Sequence, residues 1–364
     1  MRRSLAEGLG LPDDPSALVA FRDARTGLES LRLCRDVWER GLHIRLEAYG
    51  GCVFWEFHEI RDGAAGQWAR LAARLDGAGV PSLDDAMREL QLEPVHVPLR
   101  AIFGDGLVTR VLDGVATAGE LAELQRRYAA FLWALAEATG VTGDAIGLAE
   151  VTRDRVAAVF GLAGAGGSVS RAADLDRRDR AALLGWLAFS RMGELADRHN
   201  VAATSQAWYD ELQLLGAFAA GLREGGLDEV DARAAADLVR VLLALPRPSD
   251  LRGPARTADA RLLDEWLGQD TVRAAMGVNI WEGVEYLDRD RFEGILGWAA
   301  RLDAMEAGAP ARADTPARAD TPARADTPAW LSRMAAAAET AGYRVERLRR
   351  SLAGEPGSPG RSVS

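Results

Sequence analysis

Two runs within the first sixty positions alternate between apolar and polar with the period of two that marks a half-buried strand. Leu42, Ile44 and Leu46 alternate with His43, Arg45 and Glu47, and Val53, Trp55 and Phe57 alternate with Phe54, Glu56 and His58. Between the two runs, Ala48-Tyr49-Gly50-Gly51 reads as a turn, so together they predict a hairpin. Upstream, Ala17 to Phe21 and Glu29 to Leu33 read as two more short strands around Arg25-Thr26-Gly27. A set of about four antiparallel strands buries one face. It leaves two edges that need cover from helices or from another chain.

From Ala64 onward the pattern is helical. Ser82, with Asp85 three residues on, opens a helix in the manner of a capping box. That helix is expected to stop near Leu92, because the residue before Pro94 avoids helical angles. Further helices are expected over Ala118 to Ala138, Arg177 to Arg198, Ser205 to Arg223 and Asp228 to Leu243. In the third of these, Trp208, Leu212, Leu215, Phe218 and Leu222 follow three- and four-residue steps along one face. Gly225-Gly226 ends it, Asp228 can cap the next, and Pro246 and Pro248 close the pair, which reads as an αα-hairpin. The fold class is therefore α+β and mostly α: a short antiparallel β segment followed by a multi-helix array.

Between Ala311 and Pro328 the hexapeptide Ala-Arg-Ala-Asp-Thr-Pro occurs three times. A proline every six residues forbids a continuous helix, and no large apolar residue is present to bury. The stretch reads as a disordered or extended linker. The expected organisation is a β-rich segment at 1–62, a helical domain at 63–307, the linker at 308–329, an amphipathic helix over Trp330 to Leu352 within 330–353, and a tail at 354–364.

Composition narrows the chemistry. The 364 residues carry 44 basic and 54 acidic side chains, a net charge of −10, and every base is arginine. Without lysine there is no Schiff-base enzyme of the pyridoxal-phosphate type, no P-loop and no protein kinase. The acidic balance argues against a nucleic-acid surface. The densest basic group, Arg344, Arg347, Arg349 and Arg350, reads as a solvated helix face or favourable charge in a last turn. Cys34 and Cys52 make no disulfide framework. No apolar run of eighteen residues suggests a membrane span and Met1 to Pro15 does not read as a signal peptide, so a cytoplasmic protein is expected.

Catalytic constellations are hard to find. His43, His58, His96 and His199 are scattered, so no metal set is expected, and no cofactor is implied. Gly164-Ala165-Gly166-Gly167-Ser168 follows a helical pattern and reads as an interhelix loop. Glu56 and Glu59 lie on one strand facing opposite ways, and nothing places two carboxylates across one cleft. Aromatics are more suggestive, with ten tryptophans against five tyrosines. Trp208-Tyr209 and Trp281 fall near expected helix starts, and Trp266 and Trp298 inside helical patterns. Exposed tryptophan can stack on a sugar ring, and the competing reading of each is core packing. The candidate ligand-binding residues are Trp208, Asn279 and Trp281, with no catalytic or metal-binding residue named.

Several stretches in order carry a resemblance. They are Phe21-Arg22-Asp23 with Thr26-Gly27-Leu28-Glu29 and Leu31-Arg32; Gly41-Leu42-His43-Ile44-Arg45-Leu46 through Tyr49, Val53-Phe54 and Phe57-His58-Glu59; and Gly79-Val80-Pro81-Ser82-Leu83-Asp84-Asp85-Ala86. Later come Ser205, Trp208 and Asp210-Glu211; Gly226-Leu227-Asp228-Glu229; and Val278-Asn279, Glu282-Gly283-Val284, Phe292-Glu293 and Trp298. From Ala20 to Leu302 the series resembles the region after the catalytic barrel in large bacterial proteins of the alpha-amylase superfamily. There a β-rich segment and then a long helical region follow the barrel. The resemblance implies a glycoside hydrolase whose catalytic carboxylates lie on the barrel, upstream of every stretch quoted, so no catalytic residue is carried over. The family-like stretch after Gly283 usually reads as an aromatic pair followed by Asn-Lys-Glu. Here it reads Tyr286-Leu287-Asp288-Arg289-Asp290, with the charge kept by Arg289 and the second aromatic missing.

The leading expectation is a non-catalytic C-terminal accessory module that docks on a separately encoded barrel or has lost it. By resemblance its glycan would be an α-glucan, and neither nucleic acid nor membrane is an expected partner. A self-standing helical protein-interaction protein is the first alternative. It expects a four-stranded sheet covered by the chain's own helices. A carbohydrate-active enzyme acting on an α-glucan is the second. It expects Trp281 or Trp208 in a cleft beside two close carboxylates, one with a raised pKa.

Overall fold

The run Ala17 to Phe21 is apolar without interruption, and all five side chains are buried. A strand buried on both faces belongs in the middle of its sheet. Accordingly β1 (Ala17–Asp23) lies between β2 (Glu29–Leu33) and β3 (Phe54–Arg61), antiparallel to both, with Ala20 opposite Leu31 and Val19 opposite Glu59. The computed structural model describes residues 3–44, 51–162, 171–250, 255–307 and 328–354. The chain divides into two units, Met1–Pro94 and Val95–Ser364.

In the first unit β1 is packed on both faces. Ala17 and Val19 pack with Ala6, Leu11, Cys34 and Val37, from α1 (Leu5–Leu9), α2 (Cys34–Arg40) and the loop between α1 and β1. Leu18, Ala20 and Leu31 pack with Leu71, Leu83, Met87 and Leu90, from α3 (Gln67–Leu75) and the first turns of α4 (Leu83–Phe103). The strands of this unit thus share a core with α3 and the first turns of α4.

The expected strand pattern needs two corrections. Leu42 to Ile44 are not in a strand, and the rest of that run, with Ala48-Tyr49-Gly50, lies outside the described residues. In β3 a bulge changes the facing. Glu56 adopts a left-handed conformation (φ 54°), and the register shifts so that Arg22 opposes Trp55 while Ala20 opposes His58. One extra residue reverses the alternation. Phe54 and Phe57 therefore share a face, both against Phe21, at 5.0 and 5.1 Å between ring centroids. Val53 and Trp55 are exposed.

Helix α4 also departs from expectation. It begins as predicted, with the Ser82 hydroxyl accepting from the Asp85 N–H at 3.1 Å, but runs through Pro94 and Pro98 to Phe103. Val95, Leu99, Ile102 and Phe103 continue the helical spacing and are all buried. Burial of that stripe outweighs the hydrogen bonds that the prolines cannot donate.

The second unit is helical. Its elements are α5 (Leu107–Leu112), α6 (Ala118–Thr139), α7 (Ala145–Phe160), α8 (Arg177–Phe189), α9 (Val201–Glu211), α10 (Leu214–Glu224), α11 (Glu229–Ala244), α12 (Ala255–Gly268), α13 (Asp270–Ala275), β4 (Asn279–Trp281), β5 (Val284–Tyr286), α14 (Arg289–Ala307), α15 (Ala329–Ala341) and α16 (Val345–Ala353). The whole is mostly α with a small antiparallel sheet, and among the described residues no helix is long and apolar enough to cross a membrane.

Helix α8 is buried on every side from Ala181 to Phe189, as a central helix must be. Around it Phe103, Phe131, Phe189, Tyr209 and Phe218 form a chain of ring contacts, with centroids between 4.9 and 6.2 Å apart. The αα-hairpin stands as α10 and α11, and the Asp228 carboxylate caps α11 by accepting from the Asp231 N–H at 2.9 Å. Three expected helices are each broken in two. Arg177 to Arg198 gives α8 and a 3-10 turn at Met192–Leu195. Ser205 to Arg223 is interrupted at Gln213, left-handed at φ 51°. Trp330 to Leu352 is interrupted at Gly342 and Tyr343, both with positive φ.

Candidate functional site

The three candidate residues fall in two different environments. Trp208 lies on α9 and is only 8% exposed. Its neighbour Ser205 is buried and structural: its hydroxyl accepts from the Gly193 N–H at 2.9 Å and donates to the Ser190 carbonyl at 3.2 Å. Asn279 and Trp281 lie together on β4, in a hairpin, whereas the sequence pattern predicts a helix start near Trp281.

The hairpin is built from its turn outward. Glu282 (φ 50°) and Gly283 (φ 76°) both take positive φ, the geometry of a two-residue type I′ turn. Trp281 then faces Val284, Ile280 faces Glu285 and Asn279 faces Tyr286. The sequence signal was weak because glutamate is a poor first residue for such a turn, where Asn, Asp or Gly is favoured. At the base, Gly277 (φ 65°) lies so close to α14 that a Cβ there would meet the Asp288 Cβ at 2.6 Å. The Asp288 N–H donates to the Met276 carbonyl at 3.2 Å, and Arg273 pairs with Glu285.

The base is also tied to the C-terminal helices. The Leu287 N–H donates to the Tyr343 carbonyl at 2.8 Å, and Tyr286 forms a β-bridge with Arg344. The Arg344 guanidinium lies over the Tyr286 ring, 5.5 Å from its centroid. Arg289 pairs with Glu293 at 3.0 Å and lies 5.9 Å from the centroid of Tyr343, whose hydroxyl donates to Glu293 at 2.7 Å. These two partners, Tyr343 first, hold the Glu293 carboxyl below its ordinary range. On this anchored base the tip stands out: Ile280 is 68% and Trp281 63% exposed, on opposite faces of the hairpin.

Three histidines make hydrogen-bond contacts within the chain. His96 meets the Leu212 carbonyl at 2.7 Å, His58 the Glu56 carbonyl at 3.1 Å and His199 the Asp197 carboxylate at 2.9 Å. Cys34 is buried, and burial pushes its thiol up. Asp231 is raised by desolvation and by the Asp228 carboxylate beside it, at the start of α11. Among the described residues no group of three His, Cys, Asp or Glu side chains is placed to hold a metal ion. A small pocket of about 20 Å³ lies among α4, α6, α7 and α8, lined by Phe103, Leu124, Tyr128, Thr152, Val156 and Leu184 among others. The Tyr128 hydroxyl there donates to the Ala188 carbonyl, and its burial pushes its pKa well up. Nearby Arg155 is buried, bonded to Glu306 at 2.7 Å and 5.3 Å over the Trp186 ring.

Compared with known proteins, the chain matches no family model, no curated protein and no solved structure.

Proposed function

We propose that the chain is a non-catalytic binding module, of the accessory kind that follows the catalytic barrel in the alpha-amylase superfamily, and that the Trp281 hairpin is the face it offers. The observation that carries this is the placement of Asn279, Ile280 and Trp281. Asn279 belongs to the last of the stretches that resemble that family, Ile280 and Trp281 lie between its matching residues, and all three stand exposed on a hairpin held from below by α13, α14 and α16. An exposed indole on a fixed backbone buries a large ring area at little cost in ordering, which suits it to a protein partner or a sugar ring. The partner in this reading is a separately encoded glycosidase barrel, and the polysaccharide it acts on is an α-glucan.

Co-expression with the product of the neighbouring upstream gene tests this. The expected result is co-purification of a barrel with the native chain and its loss with Trp281→Ala, whose melting temperature stays unchanged. Hydrolysis of α-glucan should then follow the barrel, alone or in the complex, and never this chain by itself. An upstream product without a barrel, or equal retention by Trp281→Ala, overturns the proposal.

One observation favours a second reading, a self-standing protein-interaction protein. The central strand of the first unit's sheet is packed on both faces by the chain's own helices. That reading expects a monodisperse monomer, stable alone, which light scattering coupled to size exclusion would detect.

A further inference from the structure

The hairpin of β4 and β5 has three residues in each strand, and an isolated two-stranded hairpin is marginal in water. Its third edge contact comes from far along the chain. Tyr343 and Arg344, at the corner between α15 and α16, supply the backbone acceptor for Leu287, the bridge to Tyr286 and the cation over the Tyr286 ring. This corner follows a stretch, 308–327, whose sequence has no large apolar residue and a proline every six positions. The corner is therefore held where it is by its own docking contacts, not by a short connection.

Those contacts are specific. Arg333 on α15 makes two hydrogen bonds to Asp259 on α12, at 2.7 and 3.0 Å, and the Asp259 side chain is only 5% exposed. Arg349 on α16 pairs with Asp264 on α12 at 2.7 Å. Met334, Ala338, Val345, Leu348 and Leu352 bury the apolar stripe of the two helices in the core of the second unit. A buried carboxylate with a two-pronged arginine partner is strongly destabilised when one member is lost, because the other is left uncompensated.

We propose that α15 and α16 form an intrachain clamp that holds the Trp281 hairpin in its presented form, so that release of the clamp melts the hairpin. The C-terminal helices are in this sense a tethered ligand of the hairpin. Their docking energy is linked to the order of β4 and β5. The clamp rests on contacts within the second unit and holds whatever the hairpin binds.

Hydrogen exchange by mass spectrometry on the full chain tests the linkage. In Asp259→Asn, amides of 329–353 should exchange at least about tenfold faster, and those of 278–287 should accelerate with them while α8 and α11 keep their protection. Arg349→Ala, which breaks only an exposed pair, should give the same pattern at a smaller size. It also supplies the reading if Asp259→Asn unfolds the whole unit. The proposal is overturned if 329–353 loosens while 278–287 stays protected. It is equally overturned if neither variant loosens 329–353.

Discussion

Trp208 and Trp281 look alike in the sequence, each an aromatic beside polar residues near the start of a regular element. The structure separates them by burial alone. Trp208 faces the core of its helix bundle, and Trp281 stands exposed at the end of β4, just before the hairpin turn. A similar divergence affects the arginines at 344–350. They read as a solvated face, yet Arg344 lies over Tyr286 and Arg349 reaches Asp264. Neither contact is visible along the chain, because each partner lies about sixty or more positions away. Glu293 carries a residue-scale prediction. Tyr343 and Arg289 hold its carboxyl below the ordinary glutamate range of about 4.3, which its unfolded state retains. A depressed carboxylate contributes stability that is complete above the unfolded value and is lost as pH falls through the folded one. Melting temperatures of the native chain and Glu293→Gln should therefore differ at neutral pH and converge in acid. A constant gap down to the lowest pH measured would contradict this.

Helix starts were the most legible elements, because caps are local. Ser82 and Asp228 cap α4 and α11 as their sequences imply. Helix ends and breaks were not, since they depend on what the next turn packs against. The breaks at Gln213 and Tyr343 use non-glycine residues at positive φ, which local propensity does not foresee. The run through Pro94 and Pro98 has the same origin, a buried stripe overriding a local preference. Close packing of elements gives a further prediction. A Cβ on Gly185 of α8 would approach Phe218 and Val239 to 2.6 Å each. Gly185→Ala gains helix propensity but overpacks the centre of the bundle, at a cost of about 1–3 kcal/mol. A fall of several degrees in melting temperature by circular dichroism is expected, and an unchanged value would show that α8 and α11 can move apart freely.

At the scale of the molecule, the second unit closes its core with helices from both sides of the 308–327 stretch. Its sequence reads as a linker, so its length should matter little to stability. Removing one hexapeptide shortens 20 residues to 14, which changes loop closure by about 0.3 kcal/mol. The melting temperature should shift by less than about 1 °C. A large loss would mean that the repeats do more than connect. What the sequence determined by itself was whatever rests on neighbours within a few positions. That covers the apolar run of β1, the helical spacing, the helix caps, the linker composition and the mostly helical class with a small antiparallel sheet. Only the tertiary structure decided which tryptophan is buried, where β3 reverses its facing, and that β1 is packed on both sides. It also decided that a hairpin at residues 279–286 is completed by a corner at 343–344. Those outcomes depend on burial and on partners far apart in the chain, and a local pattern carries no record of either.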